Sequence, residues 1–142
     1  KGFTLIEIIV VVVILAVLMA VAVPSVLKYM GEADEAKYMS GARGAYIAAQ
    51  SYITKQYVAN KTAAYDLDEL KADLSAEKPQ VTDIAFYANK PTVNDDLTIT
   101  PSTGDTAITS GDPENIKYYV VTFGANAVAV LEPNGTVEVT VK

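Results

Sequence analysis

The stretch that decides the fold is KGFTLIEIIVVVVILAVLMAVAVPSVL, residues 1–27. Within it, residues 8–27 carry no charge. A helix of that length extends about 30 Å at about 1.5 Å per residue, which matches the hydrocarbon thickness of a bilayer. The segment therefore has the length and composition of a transmembrane helix. Lys1 favours a cytoplasmic N-terminus, because positive residues accumulate on that side.

Glu7 stands at the head of this apolar run. A carboxylate at or inside the boundary of a bilayer is costly unless it has a partner, so ionisable residues in such segments are candidates for function. The alternative is a solvated side chain at the level of the lipid headgroups, with no role. The sequence thus makes Glu7 the first candidate site residue.

Six residues resemble the prepilin signature of type IV pilins and their pseudopilin relatives: Gly2, Phe3, Thr4, Leu5, Glu7 and, near the end of the apolar helix, Pro24. In that family a membrane-embedded aspartyl peptidase cleaves after the glycine and methylates the exposed phenylalanine amine. The resemblance implies that residues 1–2 end a leader, that cleavage separates Gly2 from Phe3, and that Phe3 is N-methylated. It also implies that Glu7 pairs with the Phe3 amine of a neighbouring subunit and sets its register.

The resemblance implies a structural subunit of a type IV pilus, a homo-oligomeric helical filament. The implied partners are the prepilin peptidase, the assembly ATPase machinery and minor pilins. The implied location is the inner, cytoplasmic membrane for the single-pass precursor, then an extracellular filament on the bacterial surface. One alternative keeps the fold, namely a pseudopilin of a type II secretion or competence apparatus. Two others are a monomeric membrane-anchored extracellular binding module and an ordinary secretory signal peptide ending near Ala20-Val21-Ala22.

Composition narrows the chemistry that this chain can perform. It contains no Cys, His or Trp, which removes thiol and imidazole catalysis, disulfides and the usual zinc ligands. No nucleophile motif or phosphate-binding loop occurs, so neither enzymatic activity nor a cofactor is expected. The formal net charge of −6 disfavours direct binding of nucleic acid.

The helix is predicted to continue past the membrane, over residues 3–57, since no proline follows Pro24 in that range. Pro24 itself predicts a kink, either a bend or a locally extended stretch, because it removes one helical hydrogen bond. Small residues recur at steps of three and four along the second half, and this stripe is predicted to pack against a sheet. Its members are Ala33, Ala36, Ser40, Gly44, Ile47 and Ser51.

Beyond the long helix, residues 66–74 predict a short second helix, with Leu67, Leu70 and Leu74 on one side. Candidate strands cover residues 84–88, 97–100, 116–123, 127–131 and 136–141. Asn134-Gly135 predicts a type I′ turn and hence an antiparallel meander.

The predicted fold class is therefore α+β, in which a long N-terminal α-helix packs on a small antiparallel β-sheet head. Residues 3–27 would form the transmembrane and polymerisation helix. Residues 28–142 would form the head, including the second half of the helix. An acidic loop could supply oxygen ligands to calcium, but lacks EF-hand spacing and is predicted to be a solvated surface loop without a metal. Its acidic residues are Asp95, Asp96, Asp105, Asp112 and Glu114.

Overall fold

The structure is a computed structural model, and it describes residues 2–142. Lys1 lies outside the described residues. The sequence predicts that it belongs to the end of the leader and that its charge keeps the N-terminus in the cytoplasm. Among the described residues two α-helices precede all six strands: α1 (Leu5–Ala59) and α2 (Asp68–Ala76). The strands are β1 (Asp83–Tyr87), β2 (Thr92–Val93), β3 (Ile99–Thr100), β4 (Tyr118–Phe123), β5 (Ala127–Leu131) and β6 (Val137–Val141). The predicted α+β class is confirmed.

Helix α1 begins and ends within two residues of its predicted bounds and contains Pro24 in its interior. The helical residues continue through the proline, so the predicted possibility of a locally extended stretch at Pro24 is wrong for this structure. Beside it, the Ser25 hydroxyl donates to the Val21 carbonyl at 3.1 Å. An interior proline removes one backbone hydrogen bond of the helix, and its ring crowds the carbonyl four residues back. A bend at Pro24 stays a prediction.

The chain forms two compact units, Lys1–Asp34 and Glu35–Lys142, called here the N-terminal unit and the C-terminal unit. In the N-terminal unit every described residue is exposed, including the whole apolar run. By length and composition, α1 is the one helix among residues 2–142 that could cross a membrane. An apolar surface of this extent indicates a partner that is itself apolar, either lipid or protein.

The C-terminal unit contains a four-stranded antiparallel sheet with the order β1-β4-β5-β6. Strands β4, β5 and β6 form the predicted meander, and β1 pairs with β4. The predicted bounds of β5 are those observed, and those of β6 differ by one residue. Helix α2 lies two residues later than predicted and buries Leu70 and Leu74. The second half of α1 packs on one face of this sheet.

The face of α1 that packs on the sheet is not the predicted one. All six residues of the predicted small-residue stripe are exposed, and Ile47, the largest of them, is 66% exposed. The buried residues are Tyr38, Ala42, Ala45, Ala49 and Ile53. This face also has small residues, which allow close approach, but Tyr38 and Ile53 flank them and add apolar area. The ring centroids of Tyr38 and Phe123 lie 5.1 Å apart, and those of Tyr46 and Tyr119 lie 4.7 Å apart.

The other face of the sheet is covered by the short β2–β3 hairpin. Tyr87, Val120, Val128 and Val130 are buried there, and partly buried side chains of the hairpin, including Val93, Leu97 and Ile99, pack against them. Strand β3 falls within the predicted strand 97–100, whereas β2 was not predicted. Both faces of the sheet are therefore covered from within the C-terminal unit.

The turn before β6 differs from the predicted type I′ turn. That type requires positive φ at both central residues, but among the described residues Leu97 is the only non-glycine with positive φ. Gly135 has φ 86°, and its amide donates to the Glu132 carbonyl at 3.0 Å. Pro133 stands at the second turn position, where its fixed negative φ fits. The result is a three-residue loop in which glycine alone takes the left-handed conformation.

Candidate functional site

The first turn of α1 contains two reciprocal hydrogen bonds between Thr4 and Glu7. The Thr4 amide donates to Glu7 Oε2 at 2.7 Å, and the Glu7 amide donates to Thr4 Oγ1 at 3.3 Å. Because the helix begins at Leu5, Thr4 is its N-cap and Glu7 its third residue. This arrangement is a capping box, which satisfies backbone amides that the first turn leaves without partners.

The capping box orients the Glu7 carboxylate. One oxygen accepts from the Thr4 amide, and a carboxylate can accept about four hydrogen bonds, so acceptor capacity remains for another donor. The positive end of the helix dipole also favours a carboxylate in the first turn. Glu7 is therefore held in place by its own chain and can still bind a cationic group.

This local arrangement does not depend on the residues before the predicted cleavage site. The Thr4 amide belongs to the peptide bond between Phe3 and Thr4, which lies after the Gly2–Phe3 junction. Removal of residues 1–2 would leave both hydrogen bonds of the capping box in place.

Glu7 lies in an open apolar groove formed by Phe3 and the first two turns of α1. The groove is lined by Phe3, Ile6, Glu7, Ile8, Val10 and Val11, and Glu7 is its only charged residue. Phe3 is 83% exposed. If another apolar surface covered this groove, the carboxylate would leave water, and its attraction to a cation would strengthen. The site can thus bind an ammonium group within apolar surroundings.

Residues 1–23 match the family model described as the prokaryotic N-terminal methylation motif. The chain carries the signature of type IV pilins and pseudopilins. This signature implies a prepilin peptidase substrate that assembles into multi-subunit, pilus-like structures. No curated protein and no solved structure matches the chain. The pilin signature therefore lies within the N-terminal unit.

Of the sequence-predicted site residues, the structure brings Phe3 and Glu7 together in one groove. Gly2 precedes them, with no atoms near its α-carbon that a side chain would meet. Pro24 lies further along α1 and takes no part in this groove. Sequence reasoning missed the capping role of Thr4, although the spacing Thr-x-x-Glu before an apolar run is the recognised pattern for it.

The acidic loop shows local hydrogen bonding instead of a shared site. Asp112 Oδ1 accepts from the Glu114 amide at 3.0 Å, and Asp105 Oδ2 accepts from the Asn89 amide at 3.0 Å. Hydrogen bonds from the Thr98 hydroxyl and amide hold the pKa of Asp96 below its usual value. Over residues 2–142, no three acidic side chains are grouped closely enough to hold a metal ion. Asp96 and Asp112 therefore cap turns of the loop, and Asp105 joins the loop to the segment that contains Asn89.

Proposed function

We propose that the chain is a structural subunit of a type IV pilus, and that it polymerises through residues 3–27. One observation carries this proposal: the methylation motif opens a helix whose apolar residues up to Leu27 are exposed on every side. Lipid would cover this surface in the precursor, and the helices of neighbouring subunits would cover it in the filament. Burial of the apolar side chains supplies the driving force for assembly.

In this proposal Glu7 sets the register of each subunit. Cleavage after Gly2 gives Phe3 a free amine, which stays cationic after methylation and can form a charge-assisted hydrogen bond with a carboxylate. The capping box supports this role, because it fixes the Glu7 carboxylate before a neighbour arrives. A subunit in a slipped register would leave an amine and a carboxylate unpaired in apolar surroundings, which is costly.

The wider system follows from the same proposal. The prepilin peptidase would process the chain, an assembly ATPase would drive polymerisation, and minor pilins would join the filament. The precursor would span the inner, cytoplasmic membrane once, and the assembled subunit would lie outside the cell. No catalytic role is proposed for the chain itself.

Mass spectrometry of the mature N-terminus tests the proposal. In cells that contain a prepilin peptidase, we expect a chain that begins at Phe3 and carries one methyl group on its amine. Gly2→Val is the matched control, since Gly2 has no neighbouring atoms to disturb and the variant should keep its leader. A wild-type chain that retains Lys1-Gly2 would instead support the monomeric membrane-anchored module.

Electron microscopy of material sheared from cells separates the two pilin-like functions. A pilus subunit predicts long thin fibres that contain the processed chain. A processed chain without such fibres would contradict the pilus proposal and favour a pseudopilin of a type II secretion or competence apparatus.

A further inference from the structure

Strand β6 forms an open edge of the sheet in the C-terminal unit. It pairs with β5 on one side, and no strand within residues 2–142 pairs with its other side. The opposite edge of the sheet is partly covered, because the Ile108 amide donates to the Phe86 carbonyl of β1 at 2.7 Å. An uncovered edge presents unpaired backbone donors and acceptors to any strand that can align with it.

The hydrogen bonds to β5 establish which backbone groups of β6 point outward. The Glu132 amide donates to the Thr136 carbonyl at 2.9 Å, and the Lys142 amide donates to the Asn126 carbonyl at 3.0 Å. Since antiparallel pairs alternate along a strand, even-numbered residues of β6 bond to β5. The amides and carbonyls of Val137, Val139 and Val141 are therefore the groups directed to the open side.

We propose that two copies of the chain pair antiparallel through β6, about a two-fold axis at Thr140. In this register Glu138 of each copy lies opposite Lys142 of the other, and Val139 lies opposite Val141. The sequence Glu138-Val139-Thr140-Val141-Lys142 is thus complementary to itself when reversed. A second copy of the chain is the occupant that this edge fits.

The charges of Glu138 and Lys142 favour this register over the registers with an axis at Glu138 or Val139. The outward backbone groups belong to odd-numbered residues, so the axis must pass through a residue and not between two. An axis at Glu138 would place two carboxylates opposite each other, which is destabilising. An axis at Val139 would place Glu138 opposite Thr140 and leave the charges unmatched. An axis at Thr140 forms two opposite-charge pairs at non-hydrogen-bonded positions, where side chains approach most closely.

Two further observations favour pairing at this edge. Val141 is 43% exposed at the open side, and the proposed register covers it with Val139 of the second copy. Lys90 Nζ lies 2.9 Å from Glu138 Oε2 and also binds Glu132, so it holds the Glu138 carboxylate at the edge. With Lys142 opposite, Glu138 would then have a cation from each copy.

This contact goes beyond polymerisation through the N-terminal helices. It is isologous and closes on two copies, so it does not extend a filament by itself. It would join C-terminal units in pairs, either between subunits or between filaments that lie antiparallel. Glu7 and Phe3 take no part in it.

A cysteine cross-link tests the pairing, because the chain has no cysteine of its own. At a non-hydrogen-bonded antiparallel pair the α-carbons are about 4.5 Å apart, which lies within the range of a disulfide. We expect the full-length Thr140→Cys chain, in detergent micelles under mild oxidation, to form a disulfide dimer on a non-reducing gel. Thr136→Cys is the control, because its two copies would lie about 27 Å apart at about 3.4 Å per residue. Equal dimer yields from the two variants would overturn the proposal.

A charge swap tests the register in a Lys90→Met, Thr140→Cys background, because Lys90 binds Glu138 within its own chain and would repel a lysine at that position. Glu138→Lys alone and Lys142→Glu alone should each lower the rate of dimer formation about threefold or more. The double variant should restore it, since opposite charges again face each other. Failure of the double variant to restore the rate, with far-UV circular dichroism unchanged, would contradict the register. Adding Glu7→Ala should leave the dimer yield unchanged, which separates this result from the pilus proposal.

Discussion

Gly41 of α1 approaches Pro79 so closely that a β-carbon on the glycine would lie 2.8 Å from the proline Cγ atom. The same β-carbon would lie 3.2 Å from Phe123 Cε1. We expect Gly41→Ala to destabilise the C-terminal unit by about 1 to 3 kcal/mol, since overpacking of a filled core costs that much. The free energy of unfolding in denaturant, followed by circular dichroism of the full-length chain in micelles, measures the effect.

Gly44→Ala is the matched control on the same helix. A β-carbon on Gly44 would meet no atoms within 4 Å, so alanine should fit there without strain. It should stabilise the helix by about 0.5 to 1 kcal/mol, because alanine has the higher helix propensity. Destabilisation by both variants to the same degree would mean that the contact with Pro79 is not the cause.

Substitutions at Glu7 can separate its charge from its capping role. Glutamine also serves at the third position of a capping box, so Glu7→Gln keeps the acceptor for the Thr4 amide and removes the charge. We expect Glu7→Gln to lose filament assembly in cells while Thr4→Ser, which retains the hydroxyl, assembles like wild type. Pili sheared from cells and quantified by immunoblot give the measurement. If Glu7→Gln assembled normally, the charge of Glu7 would not be needed for assembly, and capping would be its only role.

Tyr119 predicts a specific loss of stability at high pH. Burial raises the pKa of its phenol from 10.0 to about 12, so the folded chain keeps a proton that the unfolded chain releases between those values. The free energy of unfolding should therefore fall from pH 10 to pH 12. Tyr119→Phe should make that fall less steep, as measured by denaturant titrations at each pH.

The ion pair between Lys90 and Glu132 predicts a loss of stability at low pH. The hydrogen bond from Lys90 holds the pKa of Glu132 below the ordinary value of 4.5, so the stabilisation is present above that value and is lost as the pH falls through the lowered pKa. Lys90→Met keeps the aliphatic stem and removes the ammonium. The difference in melting temperature between the wild type and this variant should be larger at pH 7 than at pH 3. An equal difference at both pH values would assign the effect to packing of the stem.

Local sequence patterns were sufficient for much of the fold. The apolar run of β5 lies between two turn sequences, so its bounds are clear, and the alternation in residues 136–141 identifies β6. Strand β2 has only two residues and follows Pro91, so it shows no period that could be detected. It is stabilised by packing of the hairpin on the second face of the sheet, and such a tertiary contact leaves no local pattern in the sequence.

The packing face of α1 shows where local pattern fails. Two sides of this helix carry small residues at helical spacing, and spacing alone cannot distinguish them. The choice depends on Tyr38 and Ile53, which reach partners distant in sequence, such as Phe123. The candidate site was easier to predict from sequence, because Phe3, Thr4 and Glu7 lie within five consecutive residues. The resemblance predicted a partner for Glu7 in a neighbouring subunit. It did not predict the hydrogen bonds that Glu7 makes with Thr4 in its own chain.

The buried core of the C-terminal unit starts at Tyr38 and, among the described residues, takes no side chain from residues 2–37. Its internal cohesion is therefore independent of what surrounds the N-terminal unit. Under the proposed function, residues 3–27 would exchange the apolar interior of the bilayer for the apolar interior of the filament. The C-terminal unit could fold once, before that transfer, and pass through it without refolding.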